Sequence, residues 1–373
     1  MSLVYFLGAG FSAAYGLPMM NEFFSVAKQS TLLSEKEKTF LAEVQRFAHM
    51  GVRLVTISRN NMEEILSFLE MAEQAGQVPQ RLNELSKIGD EAASPLELLR
   101  SIIARVYGPL DASRLQRTNS FLGSKAVDIF GLSFTRSRTT PVPPVQERNI
   151  PQIAVALPEL RLPELTFITT NYDLCLETQL LQIRPDFKLQ LVGDWISVEG
   201  HPQGDRDGSG IYNPKSPAKL IRLHGSVNWN SPGQEVNGRR YKFRVISHIN
   251  PGNNLPWGID EQFYAGGKAA PIIVAPTVFK HQADGPYEEQ WCEAAKALAA
   301  ATQLVFIGYS FPETDAYMRY FLGASLAENV ALEAIHIIDP KAEEIVHRLG
   351  HSGKYGAHFL DMLKPDNRCW HLN

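Results

Sequence analysis

Cysteine is scarce in this sequence, and it has no long apolar run. The three cysteines among the 373 residues, Cys175, Cys292 and Cys369, lie far apart. They provide neither a CxxC pair nor the framework of a disulfide-rich secreted domain, and no zinc knuckle is expected from them. No run approaches the ~20 apolar positions of a transmembrane helix. The N-terminal residues are apolar but lack a basic leader, so we expect a core strand there rather than a signal peptide.

Neither sign of charge dominates the sequence. The formal net charge is -4, charged residues make up 20% of the chain, and no long run of Lys and Arg occurs. Such a chain has no general attraction to nucleic acid or to an anionic membrane surface. Hydrophobic residues make up 44% of the sequence, which predicts a well-packed core. Together with the scarcity of cysteine, these features favour a cytoplasmic protein, and we expect no metal site in it.

Short apolar runs alternate with helical patterns, which indicates a parallel α/β sheet. The runs predicted to be buried parallel strands are Leu3–Leu7, Leu165–Thr169, Leu189–Val192, Leu220–Leu223, Ile272–Ala275, Leu304–Ile307 and Ala334–Ile338. Helices are predicted over Tyr287–Ala301, Pro312–Ala327 and Pro340–Leu349, the last two with proline in the first turn. The expected fold class is therefore α/β, with a Rossmann-like parallel sheet and helices on both faces.

A different pattern occupies residues 31–138. Its helical patterns are long, as in Met62–Ala75 and Leu96–Val106, and few strand-like runs occur. The proline-rich segment Thr139–Gln152 then leads back to the α/β part. We expect a large helical insertion over 31–138 within a Rossmann-like domain formed by residues 1–30 and 139–373. The insertion either builds contacts with other chains or caps the pocket, and the sequence favours neither.

A glycine turn follows the first predicted strand. The segment Gly8-Ala9-Gly10-Phe11-Ser12 comes directly after Leu3–Leu7, and such a turn lets backbone amides and a helix N-terminus approach a phosphate. An ordinary strand–turn–helix corner has the same appearance. A dinucleotide dehydrogenase would need a second strand that ends in Asp or Glu about 20 residues later. Residues 34–40 have a helical pattern instead, which disfavours hydride transfer.

Polar residues follow two further predicted strands. One strand runs into Thr170-Asn171-Tyr172-Asp173, and another into His224-Gly225-Ser226. Ligands of open α/β sheets bind at the carboxyl ends of strands, where Asn171 and Asp173 can hold an amide, a sugar hydroxyl or a water. Thr170 and Asp173 also have the spacing of a helix capping box. His224 can serve as a base near neutral pH, although a lone histidine in a turn is more often structural.

Two more strand ends complete the pattern. Gly308, Tyr309 and Ser310 follow one predicted strand, and Asp339 follows the last. Gly308 and Ser310 allow a close approach to phosphate or ribose, and Asp339 can accept a hydrogen bond from ribose or adenine. Each segment alone is compatible with an ordinary strand-to-helix turn. Because all five strand ends deliver Gly, Ser, Asn, Asp or His to the same edge of the sheet, we expect a nucleotide site there.

The order of these motifs resembles that of the sirtuins, NAD-consuming proteins with a Rossmann-like domain. The resemblance spans residues 8 to 339 and leaves out the helical region. It implies that Asn171 places a water beside the nicotinamide ribose, that Asp173 holds the nicotinamide amide and that His224 acts as a base toward a ribose hydroxyl. The NAD-binding positions that it implies are Gly8, Ala9, Gly10, Phe11, Ser12 and Thr170, with Gly308, Tyr309, Ser310 and Asp339 for the adenosine half.

Two departures from the sirtuin pattern narrow this expectation. Sirtuin deacylases carry a four-cysteine zinc module, which three scattered cysteines cannot form, and their Pro-Asp-Phe-Arg segment is replaced here by Gly16-Leu17-Pro18-Met19-Met20-Asn21-Glu22-Phe23. The chain is more similar to the sirtuin-like NAD hydrolases of bacterial antiphage defence. That resemblance implies cleavage of NAD, as substrate, to nicotinamide and ADP-ribose by a homo-oligomer, with a partner ATPase or a phage-derived trigger as further candidates. An NAD-dependent protein deacylase and a non-catalytic sensor of NAD or ADP-ribose remain as alternatives.

Overall fold

The computed structural model describes the chain in segments. The described residues are 2–13, 16–50, 58, 60–88, 91–108, 164–183, 187–192, 196–199, 212–213, 215–230, 235–236, 239–240, 243–246, 271–274, 286–312, 315–350, 357–358 and 369–372. The predicted proline-rich return at Thr139–Gln152 lies outside them, as do residues 109–138 of the predicted insertion.

The described elements follow one another as short strands and helices. The strands are β1 (Ser2–Leu7), β2 (Lys87–Ile88), β3 (Glu91–Ala92), β4 (Glu164–Thr169), β5 (Gln190–Leu191), β6 (Ile196–Glu199), β7 (Ala218–Arg222), β8 (Gly225–Ser226), β9 (Trp229–Asn230), β10 (Glu235–Val236), β11 (Arg239–Arg240), β12 (Phe243–Ile246), β13 (Ile272–Ile273), β14 (Gln303–Ile307), β15 (Ala334–Ile338), β16 (Ala357–His358) and β17 (Cys369–Leu372). The helices are α1 (Ala9–Ala13), α2 (Phe23–Gln29), α3 (Glu35–Met50), α4 (Met62–Gln74), α5 (Gln80–Ser86), α6 (Pro95–Tyr107), α7 (Cys175–Ile183), α8 (Pro286–Ala299), α9 (Ala316–Ala327) and α10 (Ala342–Gly350).

Parallel strands form the body of the main sheet. Their order is β15-β14-β1-β4-β7-β5, and the antiparallel strand β17, followed by β16, extends the sheet beyond β15. Leu7 of β1 is in register with Thr169 of β4 on one side and with Ile307 of β14 on the other. The chain thus runs from β1 to β4 and β7 on one side and returns to β14 and β15 on the other. The predicted Rossmann-like parallel sheet is confirmed.

Helices cover both faces of this sheet. Alternation along β1 directs Leu3, Tyr5 and Leu7 into one buried apolar cluster, and Val4 and Phe6 into a second. The first cluster continues into α2–α7, and the second into α8, α9 and α10. Because the central strands β1 and β14 are covered on both sides, their residues are apolar at almost every position rather than at alternate ones.

The described part of the region after residue 31 is largely helical. The predicted helices Met62–Ala75 and Leu96–Val106 correspond to α4 and α6, and residues 34–40 enter α3 as expected. Ser94 and Glu97 form a capping box at the start of α6. Since these helices share one buried cluster with β1 and β4, they belong to the same core as this face of the sheet. The boundaries 31 and 138 themselves stay predictions.

One predicted strand pairing and the predicted starts of two helices were wrong. The run Ile272–Ala275 does not extend the parallel sheet, because its described part pairs antiparallel with β8. A short apolar run indicates burial and carries no information about the strand's partner. The helix predicted from Pro312 begins later, capped by the Asp315 side chain, which accepts a backbone N–H of the first turn. The helix predicted from Pro340 begins at Ala342.

Neither a membrane span nor a cluster of metal ligands occurs among the described residues. Within those ranges, no helix combines the length and the apolar character needed to cross a bilayer. In the same part of the chain, His, Cys, Asp and Glu side chains do not gather in groups of three or more that could hold a metal ion.

Candidate functional site

The five sequence motifs follow five adjacent strands. They come at the carboxyl ends of β15, β14, β1, β4 and β7, which are neighbours in that order. The strand order reverses at β1, and such a reversal leaves a crevice outside the carboxyl ends of the strands. Because neighbouring strands lie about 4.8 Å apart, β7 and β14 are separated by roughly 14 Å. That span suits an extended ligand.

Two glycine loops touch at the reversal. Gly308 has a φ of 61°, and its carbonyl accepts the N–H of Gly10 at 2.8 Å. A Cβ on Gly308 would lie 2.1 Å from the Phe11 nitrogen, and one on Gly10 would lie 2.8 Å from Gly308 Cα. The glycines are therefore required for the contact between the loops. The N–H groups of Gly8 and Phe11 donate to the carbonyls of Ile307 and Gly8, so these three amides are not available to a phosphate.

The Asn171 side chain joins the end of β4 to the glycine turn. Its Nδ2 donates to the Gly8 carbonyl at 2.9 Å and to Ser12 Oγ at 2.8 Å, and the side chain is buried. Because both N–H groups of the amide are used, the polar atom left for a ligand is Oδ1, which is an acceptor. Such an atom can receive a hydrogen bond from a ribose hydroxyl or from a water.

Asp173 is buried beside Ser12 at the start of α7. Its Oδ1 accepts the backbone N–H of Cys175 at 2.9 Å, and its carboxyl is also hydrogen-bonded to Ser12. Burial raises the pKa of this carboxyl, although Ser12, the Cys175 N–H and the charge of Arg222 oppose the shift. The Thr170 hydroxyl contacts the last carbonyl of β1. Asp173 therefore caps α7 by itself rather than as half of a Thr170–Asp173 capping box.

A buried ion pair lies beside the segment from Asn171 to Asp173. Arg222 of β7 pairs with Glu177 of α7, and side-chain exposure is 1% and 0%. Arg222 Nη1 also donates to the Asn171 carbonyl at 3.0 Å, and the Tyr212 hydroxyl donates to Glu177 Oε1 at 2.8 Å. Burial disfavours the charged guanidinium, but Glu177 and Tyr212 outweigh it and raise the pKa of Arg222. Arg222 therefore joins β7 both to α7 and to the segment that follows β4.

Sequence reasoning missed this ion pair, although one signal was present. Arg222 interrupts the apolar run Leu220–Leu223. A charge within a buried strand needs a partner, because an unpaired buried charge is strongly unfavourable. The identity of that partner, Glu177, could not be read from the sequence.

His224 occupies the position on β7 that Asn171 occupies on β4. Thr169 is in register with Arg222, and each of the two site residues follows two positions later. The His224 side chain is buried, and its imidazole centroid lies 6.2 Å from the ring centroid of Trp291. The topology thus brings an amide acceptor and an imidazole to neighbouring strand ends.

A cavity of about 810 Å³ opens where β14 and β15 end. Its lining includes Ser310, Lys341 and His347, and its volume is within the range of small-molecule sites, ~300–1,000 Å³. The Asp339 side chain accepts the backbone N–H of Lys341 at 2.8 Å, beside this lining. Tyr309 is buried, and burial raises the pKa of its hydroxyl, with the charge of Asp315 adding to the shift.

Residues 165–350 match the family model described as a SIR2-like domain. By this similarity, residues 165–350 are referred to below as the SIR2-like domain. The family match implies a sirtuin-type, NAD-binding fold, in agreement with the parallel sheet and the reversal of its strand order. The matched residues include Asn171, Asp173 and His224, and the strand ends after β14 and β15. The Gly8–Ser12 turn precedes the matched range but is hydrogen-bonded to it through Asn171.

Among solved structures, the chain is similar to that of Sir2Tm bound to a propionylated peptide. The two chains are 14% identical, the similarity covers 87% of this chain and 78% of the other, and the TM-score is 0.26. That TM-score is too low to support a conclusion about fold or function. Among curated proteins, none matches the chain. The assignment of residues 165–350 therefore depends on the family model.

Two hydrogen bonds join the helical region to segments that follow β1 and β4. The Tyr172 hydroxyl donates to Glu63 Oε1 of α4 at 3.0 Å, and the Tyr107 hydroxyl of α6 donates to the Pro18 carbonyl at 3.1 Å. Burial raises the pKa of Tyr107, and the charges of Glu63 and Asp173 add to the shift. Sequence reasoning missed these residues. No local pattern could have found them, because Glu63 and Tyr172 are 109 positions apart.

Proposed function

We propose that the protein is an NAD glycohydrolase that cleaves NAD to nicotinamide and ADP-ribose. The observation that carries the proposal is that Asn171 and His224 occupy equivalent positions on neighbouring strands of a SIR2-like domain. Recognition of a sugar hydroxyl needs such an acceptor, and removal of a proton needs such a base. The whole sequence holds three cysteines, too few for a four-cysteine zinc module, and this favours NAD hydrolysis over the deacylation of lysine.

In the proposed reaction, the bond between the nicotinamide nitrogen and ribose C1′ breaks, and its electron pair stays with nicotinamide. The ribose becomes cation-like, and water then adds to C1′ and releases a proton. Asn171 Oδ1 holds the water beside the ribose, Asp173 holds the nicotinamide amide, and His224 acts as the base. All three side chains are buried, and exclusion of bulk water strengthens their electrostatic interactions with the substrate.

The rest of NAD extends along the strand ends in this proposal. The phosphates lie against the Gly8–Ser12 turn and Thr170, and the adenosine half lies toward Gly308–Ser310 and Asp339. Two observations support this direction: the absence of side chains at the glycine contact, and the cavity at the ends of β14 and β15. Three amides of the turn already donate to carbonyls within the protein. In this proposal the phosphates are therefore bound by the other polar groups of these segments.

Nicotinamide release from NAD by the purified full-length chain tests the proposal. Because a general base contributes roughly 100-fold or more, His224→Ala is expected to lower turnover at least that far, and Asn171→Ala comparably. Asn329 is a matched control for Asn171, since it is also buried and its Nδ2 donates to two backbone carbonyls at 2.7 and 2.9 Å. His336 of β15 is the control for His224. Unchanged turnover in both site variants would refute the assignment.

Two other results would redirect the proposal. Nicotinamide release that requires an acetyl-lysine peptide would indicate a protein deacylase. Tight binding of NAD or ADP-ribose without any product would indicate a sensor. Both assays use the same purified chain, so they separate the three classes directly.

We also propose, from the resemblance to antiphage NAD hydrolases, that activity stays low until a trigger acts on a cytoplasmic homo-oligomer. A partner ATPase or a phage-derived protein is the proposed trigger. Light scattering of the purified chain measures the oligomer, and a monomer at all concentrations would contradict it. An ATPase gene beside this one would support the partner.

A further inference from the structure

The helical region holds one carboxylate, that of Glu63, against the segment that follows β4. Glu63 lies in the first turn of α4, where the Asn61 side chain accepts the N–H groups of Glu63 and Glu64 at 3.0 and 3.3 Å. This cap holds the start of the helix in place. Glu63 Oε1 accepts the hydroxyl of Tyr172 at 3.0 Å. Glu63 is therefore held against the segment that carries Asn171 and Asp173.

The surroundings of Glu63 reach both sides of the crevice. Tyr172, which is 1% exposed, has its ring centroid 6.2 Å from that of His224, at the end of β7. Tyr309 follows β14 on the other side of β1. Burial first, then Asp315, and then the negative charge of Glu63 raise the pKa of Tyr309. Glu63 therefore interacts with residues that follow β4 and β14, on the two sides of β1.

A negative charge at this place discriminates between ligands by their own charge. The nicotinamide ring is cationic in NAD⁺, neutral in NADH and absent from ADP-ribose. A carboxylate beside the ring attracts the first of these and gains little from the other two. We infer that Glu63 is a specificity-determining residue that recognises the cationic nicotinamide ring, so that the helical region selects the oxidised dinucleotide. This inference rests on the proposed function, because it assumes that NAD binds at this edge.

The same charge has a defined kinetic consequence. The positive charge lies on the nicotinamide ring before cleavage and passes to the ribose as the bond breaks. A carboxylate near both positions stabilises the bound substrate and the transition state to similar extents. Such uniform binding raises affinity more than it raises the rate of the chemical step. Loss of the charge is therefore expected to appear in KM more than in kcat.

Binding of three ligands to the full-length chain tests the inference. Calorimetry with carba-NAD measures the cationic ligand without turnover, since its carbocycle resists hydrolysis and its pyridinium charge is kept. NADH and ADP-ribose are the uncharged-ring and ring-free comparisons. Glu63→Gln is expected to weaken carba-NAD binding by about tenfold, and to change NADH and ADP-ribose binding by less than about twofold. Glu63→Asp keeps the charge and is expected to retain most of the preference.

Two variants serve as controls. Glu64→Gln removes the neighbouring carboxylate of the same helix, which accepts the Ser58 N–H at 2.7 Å, and is expected to leave the preference for carba-NAD over NADH unchanged. Tyr172→Phe removes the hydroxyl that donates to Glu63 but leaves the charge, so a smaller loss of preference is expected. Circular dichroism melts establish that each variant is folded. If Glu63→Gln does not fold, the ratio of carba-NAD affinity to NADH affinity is measured in Glu63→Asp and Tyr172→Phe instead. An unchanged ratio in Tyr172→Phe together with a changed ratio in Glu63→Asp would contradict the inference.

The outcomes separate this inference from the proposed function. An unchanged carba-NAD to NADH ratio in Glu63→Gln overturns the inference, and so does equal weakening of all three ligands, which would mark a structural role. A charge-selective loss of binding, in a wild-type chain that releases no nicotinamide, overturns the proposed function and leaves the inference standing. A wild-type chain that binds none of the three ligands overturns both.

Discussion

Gly10 donates its backbone N–H to the carbonyl of Gly308 at 2.8 Å, at the point where the strand order of the sheet reverses. The contact joins the start of the chain to the SIR2-like domain. It depends on the absence of both side chains, because an added Cβ at either position would overlap the other loop. The relationship leads to a first prediction about stability.

Gly308→Ala is expected to lower the free energy of unfolding by about 3 kcal/mol, from overpacking and from the left-handed backbone together. Gly76 is the matched control, since its φ is 65° but a Cβ there would meet nothing within 4 Å. Gly76→Ala is therefore expected to cost only about 1 kcal/mol. Urea denaturation measures both. Equal losses would show that the contact between the loops is unimportant.

Ser12→Ala is expected to lower turnover of NAD roughly tenfold or more, because a small misplacement of a reacting group has effects of that size. Ser12 Oγ accepts from Asn171 Nδ2 at 2.8 Å and is hydrogen-bonded to Asp173. The change therefore releases two proposed site residues at once. Ser86→Ala is the control, since Ser86 is a buried serine that donates to a helix carbonyl in α5. A loss of turnover in that control as large as in Ser12→Ala would assign the effect to stability alone.

Arg222→Met is expected to lower the free energy of unfolding by about 3–5 kcal/mol, because it leaves the Glu177 charge buried without its partner. Adding Glu177→Gln is expected to recover part of that loss. The exposed pair Lys296–Glu293 is the comparison, with 73% exposure at the lysine. Lys296→Met there is expected to change stability by less than about 0.5 kcal/mol. Chemical denaturation checks the set, and a double variant worse than Arg222→Met contradicts the explanation.

The free energy of unfolding of Asp173→Asn is expected to rise, relative to that of the wild type, as the pH rises. Burial raises the folded-state pKa of Asp173 above its ordinary value of 3.8, so folding favours the protonated carboxyl. That contribution is complete below the unfolded pKa and is lost as the pH rises through the folded pKa. Asparagine cannot ionise and still offers an acceptor to the Cys175 N–H. Urea denaturation at about pH 4 and about pH 7 measures the difference.

Glu37→Gln provides a control of opposite sign. Burial would raise the pKa of Glu37, but Arg105 and Ser34 outweigh it and lower the pKa. Its contribution to stability is therefore present above the unfolded pKa and lost as the pH falls through the folded pKa. The free energy of unfolding of Glu37→Gln is therefore expected to fall, relative to that of the wild type, as the pH rises. The same direction in both variants would contradict the assignment for Asp173.

The main sheet could be predicted because its strands are covered on both faces. Leu304–Ile307 is a continuous apolar run, Ala334–Ile338 is apolar apart from His336, and each became a parallel strand at or within one residue of the predicted bounds. The run Ile272–Ala275 has the same appearance but pairs antiparallel with β8. A buried strand can be recognised by its apolar residues, but these residues do not indicate which strand it pairs with.

Some residues of the candidate site could be predicted from the sequence, and others could not. Asn171, Asp173 and His224 could be proposed because each directly follows a recognisable strand, and parallel strands bring their carboxyl ends to one edge. Their catalytic roles stay predictions. The side chains that hold them, among them Arg222, Glu177 and Glu63, belong to elements that only the fold brings together.

The sequence by itself determined the fold class, most of the buried strands and the edge at which a ligand is expected, because these follow from local periodicity and from the common edge at which parallel strands end. The tertiary structure decided which distant groups meet. Asn171 reaches the Gly8 carbonyl, Arg222 reaches Glu177, and Tyr172 reaches Glu63 only after the helical region and the sheet have packed on one core. The physical reason is that a polar residue within a buried run requires a hydrogen-bond partner, which can be inferred from the sequence. The identity of the partner depends on how distant elements pack together.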